Sequence, residues 1–168
     1  MIRTKRPLTH VLLILLTSVA LLGAPIVSSA DADMPWGSAE KMDRQYEPRK
    51  VVYDVYTRNA ARELDMVLDR VSMLNNVYNA DPFESHIVMV LHGAEVPLFT
   101  REKFEEHEEL MRRARSLTQA GNIEFRMCEA SARLRGIELP DIHGFVNVVP
   151  MADAEIIELQ HEGYQLMQ

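Results

Sequence analysis

Cys128 is the only cysteine in the chain, and its surroundings make it the first candidate for covalent chemistry. It follows the short β-prone run Ile123-Glu124-Phe125-Arg126-Met127 and precedes Glu129–Arg135, a stretch of good helix formers stopped by Gly136. A thiol in the first turn of a helix meets unpaired backbone N–H groups and the positive end of the helix dipole. Both favour the thiolate and lower the pKa from its ordinary value of about 8.5. Arg126 would add positive charge, and Glu129 would oppose it. Such a thiolate can attack a disulfide or accept sulfur as a persulfide. The alternative is a small buried hydrophobe, because free cysteine is among the most buried residue types.

Two histidines join Cys128 as candidates. His92-Gly93 ends the apolar run His86–Leu91, and His143 lies in the loop Asp141-Ile142-His143-Gly144. His92, Gly93 and His143 are expected near strand ends, where parallel sheets gather ligands. The two imidazoles, with Cys128, would suit an acid–base pair or a metal site. No CxxC or HxxxH spacing supports the metal, so none is assigned, and no cofactor is assigned either. His107 and His161 fall on polar helix faces and read as surface residues. The chain lacks GxSxG, GxGxxG and any glycine-rich phosphate loop, which disfavours serine hydrolases and nucleotide binding.

The elements that must position these residues alternate along the chain. Val51–Tyr56, His86–Leu91, Ile123–Met127 and Val146–Val149 read as strands, and Gly163–Met167 as a further short one. Leu64, Val67, Leu68, Val71, Leu74 and Tyr78 recur at helical spacing, as do Phe104, Leu110, Met111, Ala114 and Leu117. A last helix is expected over 152–163. Strand–helix alternation implies right-handed crossovers and an α/β fold: a three-layer sandwich around a mostly parallel sheet of four or five strands, with flavodoxin-like layering.

Before this domain the chain has a different character. Arg3, Lys5 and Arg6 precede the apolar run Val11–Gly23, followed by small residues up to Ala30 and Ala32. That is the pattern of a cleavable signal peptide over 1–32, cut after Ala30 or Ala32. The competing reading is an uncleaved anchor. The apolar core of about 13 residues falls short of the about 20 that span a bilayer, and Pro25 interrupts it. Residues 33–49 read as a flexible polar arm and 50–168 as the domain. The expected destination is the periplasm or another exported location.

The net charge is −7 for the whole sequence. It becomes about −9 once residues 1–32, with three basic residues and Asp31, are removed. An acidic chain with no basic stripe disfavours nucleic acid and, after processing, an anionic membrane. With one cysteine the exported domain has no internal disulfide. Its thiol is left for a reactive role, for pairing between chains, or for burial.

Several stretches together carry a family resemblance. They are Leu74-Asn75-Asn76-Val77-Tyr78, Ile87-Val88-Met89-Val90-Leu91-His92-Gly93, Ile123-Glu124-Phe125-Arg126-Met127-Cys128 and Gly144-Phe145-Val146. Across Val51–Met167 the chain resembles the DsrE/DsrF-like family of small α/β proteins associated with sulfur relay. The resemblance implies that Cys128 receives sulfur as a persulfide and passes it on. It implies a sulfur donor or acceptor protein as partner, and a homo-oligomer, a trimer or hexamer. The chain then reads as a carrier or binding protein more than a multi-turnover enzyme. The alternative is a non-catalytic oligomeric scaffold with a buried cysteine. Intact mass spectrometry of the exported protein without reductant is expected to show a chain beginning at Asp31 or Asp33; retention of the first 30 residues would overturn the cleavage reading.

Overall fold

The computed structural model describes residues 36–168; the expected signal peptide and the start of the arm lie outside them. The chain divides into two units at Asp43 and Arg44. Of the first, residues 36–43 carry no helix or strand. The second, Arg44–Gln168, is an α/β domain.

Five strands form its sheet: β1 (Lys50–Val55), β2 (His86–Leu91), β3 (Ile123–Cys128), β4 (Val146–Val149) and β5 (Gln165–Met167). Their order is β4-β3-β2-β1-β5, and every pairing is parallel. Four helices connect them: α1 (Ala60–Val77), α2 (Glu108–Leu117), α3 (Glu129–Arg133) and α4 (Ala152–His161). The central strand, β2, is fully covered from Ile87 to Leu91, which accounts for its unbroken apolar sequence. The outer strands tolerate polar residues because one or both of their faces is less covered.

Side-chain alternation splits the core in two. On one face Val51, Tyr53, Ile87, Met89, Phe125 and Met127 pack against Leu64, Leu68 and Val71 of α1, Met111 and Ala114 of α2, and Ala132 of α3. On the other, Val52, Val88, Val90 and Cys128 pack against Ala152, Ile156 and Leu159 of α4, with Tyr164. The layering follows from connection geometry. From β1 to β4 the chain steps in one direction, so right-handed crossovers put α1, α2 and α3 on one face. After β4 it must return across the whole sheet to β5, which puts α4 on the other.

Among the described residues the α4 face is therefore thinly covered, and polar side chains complete it. The Tyr164 hydroxyl lies 2.6 Å from His86 Nδ1, and His86 Nε2 lies 3.1 Å from Glu124. Glu124 accepts from Arg126 at 2.9 Å, and Arg126 also donates to Glu155 of α4. The guanidinium thus ties α4 to a strand on which it has little apolar purchase.

At the carboxyl ends of β1 and β2 a buried acid fixes the loops. Glu95 has no exposed surface, and its carboxyl group accepts three hydrogen bonds. Oε2 takes the Thr57 N–H (3.0 Å) and the Thr57 hydroxyl (2.6 Å), and Oε1 takes the Gly93 N–H (2.7 Å). The Ala94 N–H bonds to the Thr57 carbonyl at 2.9 Å, so the two loops touch through their backbones. Gly93 permits this: a Cβ there would lie 2.4 Å from the Thr57 nitrogen and 2.6 Å from Glu95 Oε2.

Two substitutions test this clamp by urea denaturation. Gly93→Ala is expected to destabilise the domain by about 2–3 kcal/mol through the backbone clash. Glu95→Gln, which sets an NH2 donor against an N–H donor, is expected to cost about 1–3 kcal/mol. Losses below about 0.5 kcal/mol in both would show that the loops are not held this way.

Candidate functional site

Cys128 is the last residue of β3 and the N-cap residue of α3. Its side chain faces the α4 layer and is 4% exposed. The adjacent strands β3 and β4 send their following helices to opposite faces, α3 to one and α4 to the other. In an open α/β sheet, that divergence opens a crevice at the carboxyl ends of the two strands. Cys128 ends β3 at this divergence, enclosed beneath the surface, with Val149 as its register partner on β4.

The first turns of both helices converge on the sulfur. Burial raises the thiol pKa and is the largest single influence. The Ser131 hydroxyl and the backbone N–H groups of Ser131, Ala152 and Ala130 oppose it, and together they win, so the pKa is lowered. Ala130 and Ser131 belong to α3, and Ala152 is the first residue of α4. No regular capping hydrogen bond forms to the neutral thiol; these donors act on the negative charge once the proton has left. Neither helix has a side-chain cap, so the donors are not claimed elsewhere by one. The Ala130 N–H also makes a long 3.4 Å bond to the Pro150 carbonyl, which joins the end of β4 to the start of α3.

Arg126 is committed to Glu124 and Glu155, so its charge is already matched. His92 follows Leu91, the register partner of Met127, so His92 and Cys128 are the next residues on neighbouring strands. His92 Nε2 is 2.6 Å from Asp54 Oδ1. The Tyr56 ring lies 5.2 Å from the imidazole. Asp54 and Tyr56 thus fix the histidine from the β1 side. The Gly93 N–H is occupied by Glu95.

His143 lies elsewhere. Its loop precedes β4 and is tied to the segment after β2 by an antiparallel bridge between Thr100 and Ile142. The His143 N–H donates to the Phe99 carbonyl at 3.0 Å and the Arg101 N–H to the Asp141 carbonyl at 2.8 Å. The imidazole packs on Phe104 and Phe145, which belong to the α1–α3 face, whereas Cys128 belongs to the α4 face. The expected gathering of His143 with Cys128 at strand carboxyl ends is corrected accordingly. Among the described residues no three His, Cys, Asp or Glu side chains are placed to share a metal ion. No helix among them is long and apolar enough to cross a membrane.

Sequence reasoning passed over Ser131, Ala152 and Glu95. Ser131 had a readable signal, because the spacing Cys-x-x-Ser places a hydroxyl at the third position of a helix capped by the cysteine. Ala152 had none; its approach depends on strand order.

A depressed thiol pKa means that the fold holds the thiolate better than the unfolded chain does. This contribution to stability is complete above the ordinary thiol pKa and is lost as pH falls through the lowered one. Thiolate absorbance followed against pH is expected to shift to higher pH in Ser131→Ala. An unchanged midpoint would remove the hydroxyl from the account.

Three comparisons bear on identity. The model of the DsrE/DsrF-like family matches residues 50–168. The protein of unknown function MTH1491 from Methanobacterium thermoautotrophicum has a similar structure, with a TM-score of 0.56 and 19% sequence identity. The match covers 71% of this chain and 97% of that one, and it supports the fold alone. Comparison with curated proteins returns no match.

Proposed function

The chain belongs to the DsrE/DsrF-like family, and we propose that it is an exported sulfur-handling protein whose Cys128 carries sulfur as a persulfide. One observation carries the reading: N–H groups from the first turns of two helices, with the Ser131 hydroxyl, favour negative charge on the sulfur. The same donors suit a persulfide, whose terminal sulfur is anionic and only one atom farther out. In the transfer, the Cys128 thiolate attacks the outer sulfur of a donor persulfide, R–S–SH. The S–S bond of the donor breaks, R–S⁻ leaves, and Cys128–S–SH forms and loses its proton to solvent. No external oxidant is needed, since sulfane sulfur moves from one thiol to another.

His92 is the binding residue we place beside this step, held by Asp54 and Tyr56 at the next strand end. Gly93 contributes by letting the loop close and His143 is left out, because it lies on the other face. Family membership supports a homo-oligomer and a donor or acceptor protein as partners, and the pattern of residues 1–32 supports export.

The 4% exposure of Cys128 favours one competing reading, an oligomeric scaffold in which the thiol only fills space. One experiment separates the two. After incubation with a low-molecular-weight persulfide, intact mass spectrometry is expected to show an added mass of about 32 Da that is absent from Cys128→Ala. A thiol that takes up no sulfur, in a variant series where Cys128→Ala assembles normally, would establish the scaffold instead.

A further inference from the structure

The α1–α3 face of the domain carries a cleft of about 360 Å³ between α2 and the loop that leads into β4. Its walls include Phe104, Met111, Arg112, Arg115, His143 and Phe145. We propose that this cleft binds a small planar aromatic anion, with its ring among Phe104, His143 and Phe145 and its charge against Arg115.

The ring walls are set from behind. His143 stacks on Phe145 with 5.7 Å between centroids and 15° between planes, and meets Phe104 edge-on at 5.7 Å. Phe145 in turn packs on Phe99 at 6.2 Å and on Phe125 at 5.9 Å. These rings are fixtures of the core whose outer surfaces meet the cleft. Aromatic faces and edges of this kind select flat, polarisable ligands. The volume lies at the low end for small-molecule sites, enough for one or two fused rings.

Charge selects the sign of the ligand. The chain has 25 acidic residues against 18 basic ones, yet no Asp or Glu lines this cleft. Four other clefts on the domain each include an acidic wall: Asp65, Asp141, Glu138 or Glu129. Arg112 lies 5.7 Å over the Phe104 ring and is paired with Glu108 at 2.7 Å. The Arg115 guanidinium has no ion-pair or side-chain hydrogen-bond partner among the described residues. His143 Nε2 is enclosed by the protein, so the imidazole meets the cleft through its ring and not through that atom. Burial and the nearby Arg101 hold the pKa of this imidazole below its ordinary value. A neutral aromatic ring among other rings, with an unpaired guanidinium on the same cleft, is the complement of a carboxylate or sulfonate on an aromatic frame. The cleft is separate from Cys128, and the proposal stands whether or not that thiol carries sulfur.

The probe is 2-naphthoate, titrated into the purified full chain by calorimetry. Saturable binding at one site is expected. It should weaken about tenfold in Arg115→Gln, and about tenfold when the neutral 2-naphthalenemethanol replaces the carboxylate. Cyclohexanecarboxylate, which keeps the charge and lacks the ring, should bind more weakly than 2-naphthoate. Arg115 is exposed, so its replacement leaves the core intact. No saturation by about 5 mM overturns the proposal. So does equal binding by the Arg115→Gln variant, or by either comparison compound.

Discussion

All five strands run parallel, so every connection between them must cross a face of the sheet, and right-handed crossing leaves no choice of face once the strand order is set. The reversal after β4 is the step on which the site depends. It sends α4 to a face with no other helix among the described residues and makes α3 and α4 diverge from neighbouring strands. Their first turns then stand on either side of Cys128. The thiol is influenced by N–H groups from two helices because the chain turns back at that point. A sheet of the same strands with β5 beyond β4 would place α4 beside α3 and leave the cysteine with one.

Much of this was legible in the residues. The run Ile87–Leu91 announces a strand covered on both sides, and Leu64, Leu68 and Val71 announce the buried stripe of α1. The end of β3 at Cys128 follows from the switch of pattern after Met127. The helix after it is shorter than expected, ending at Arg133, with a turn up to Gly136, whose φ of 71° suits a chain reversal. The helix expected from Phe104 starts at Glu108, because residues 101–107 form turns against the loop before β4.

What the residues did not announce depends on contacts distant in sequence. Glu95 reads as an ordinary loop acid, yet it accepts from Thr57, 38 residues earlier. A local pattern contains no trace of that pairing. His143 was assigned to a strand end on topology alone, while its neighbours are set by the Thr100–Ile142 bridge, which no periodicity reveals. Strand order is the same kind of quantity. It decides which N–H groups reach Cys128, and it is encoded only in how the whole set of apolar faces is satisfied together.

The two faces of the sheet also differ in how firmly they are closed. Three helices seal one side with a large apolar core. The other is held by Ala152, Ile156 and Leu159 and by the Arg126–Glu155 tie. Segments with few buried apolar contacts open at lower free energy than the whole domain. A sulfur atom under the lighter layer therefore meets solvent on the timescale of that layer's fluctuation, without waiting for global unfolding. The rate at which Cys128 encounters a reagent is in this sense a mechanical property of α4, and the charge on the sulfur is an electrostatic property of the turns around it.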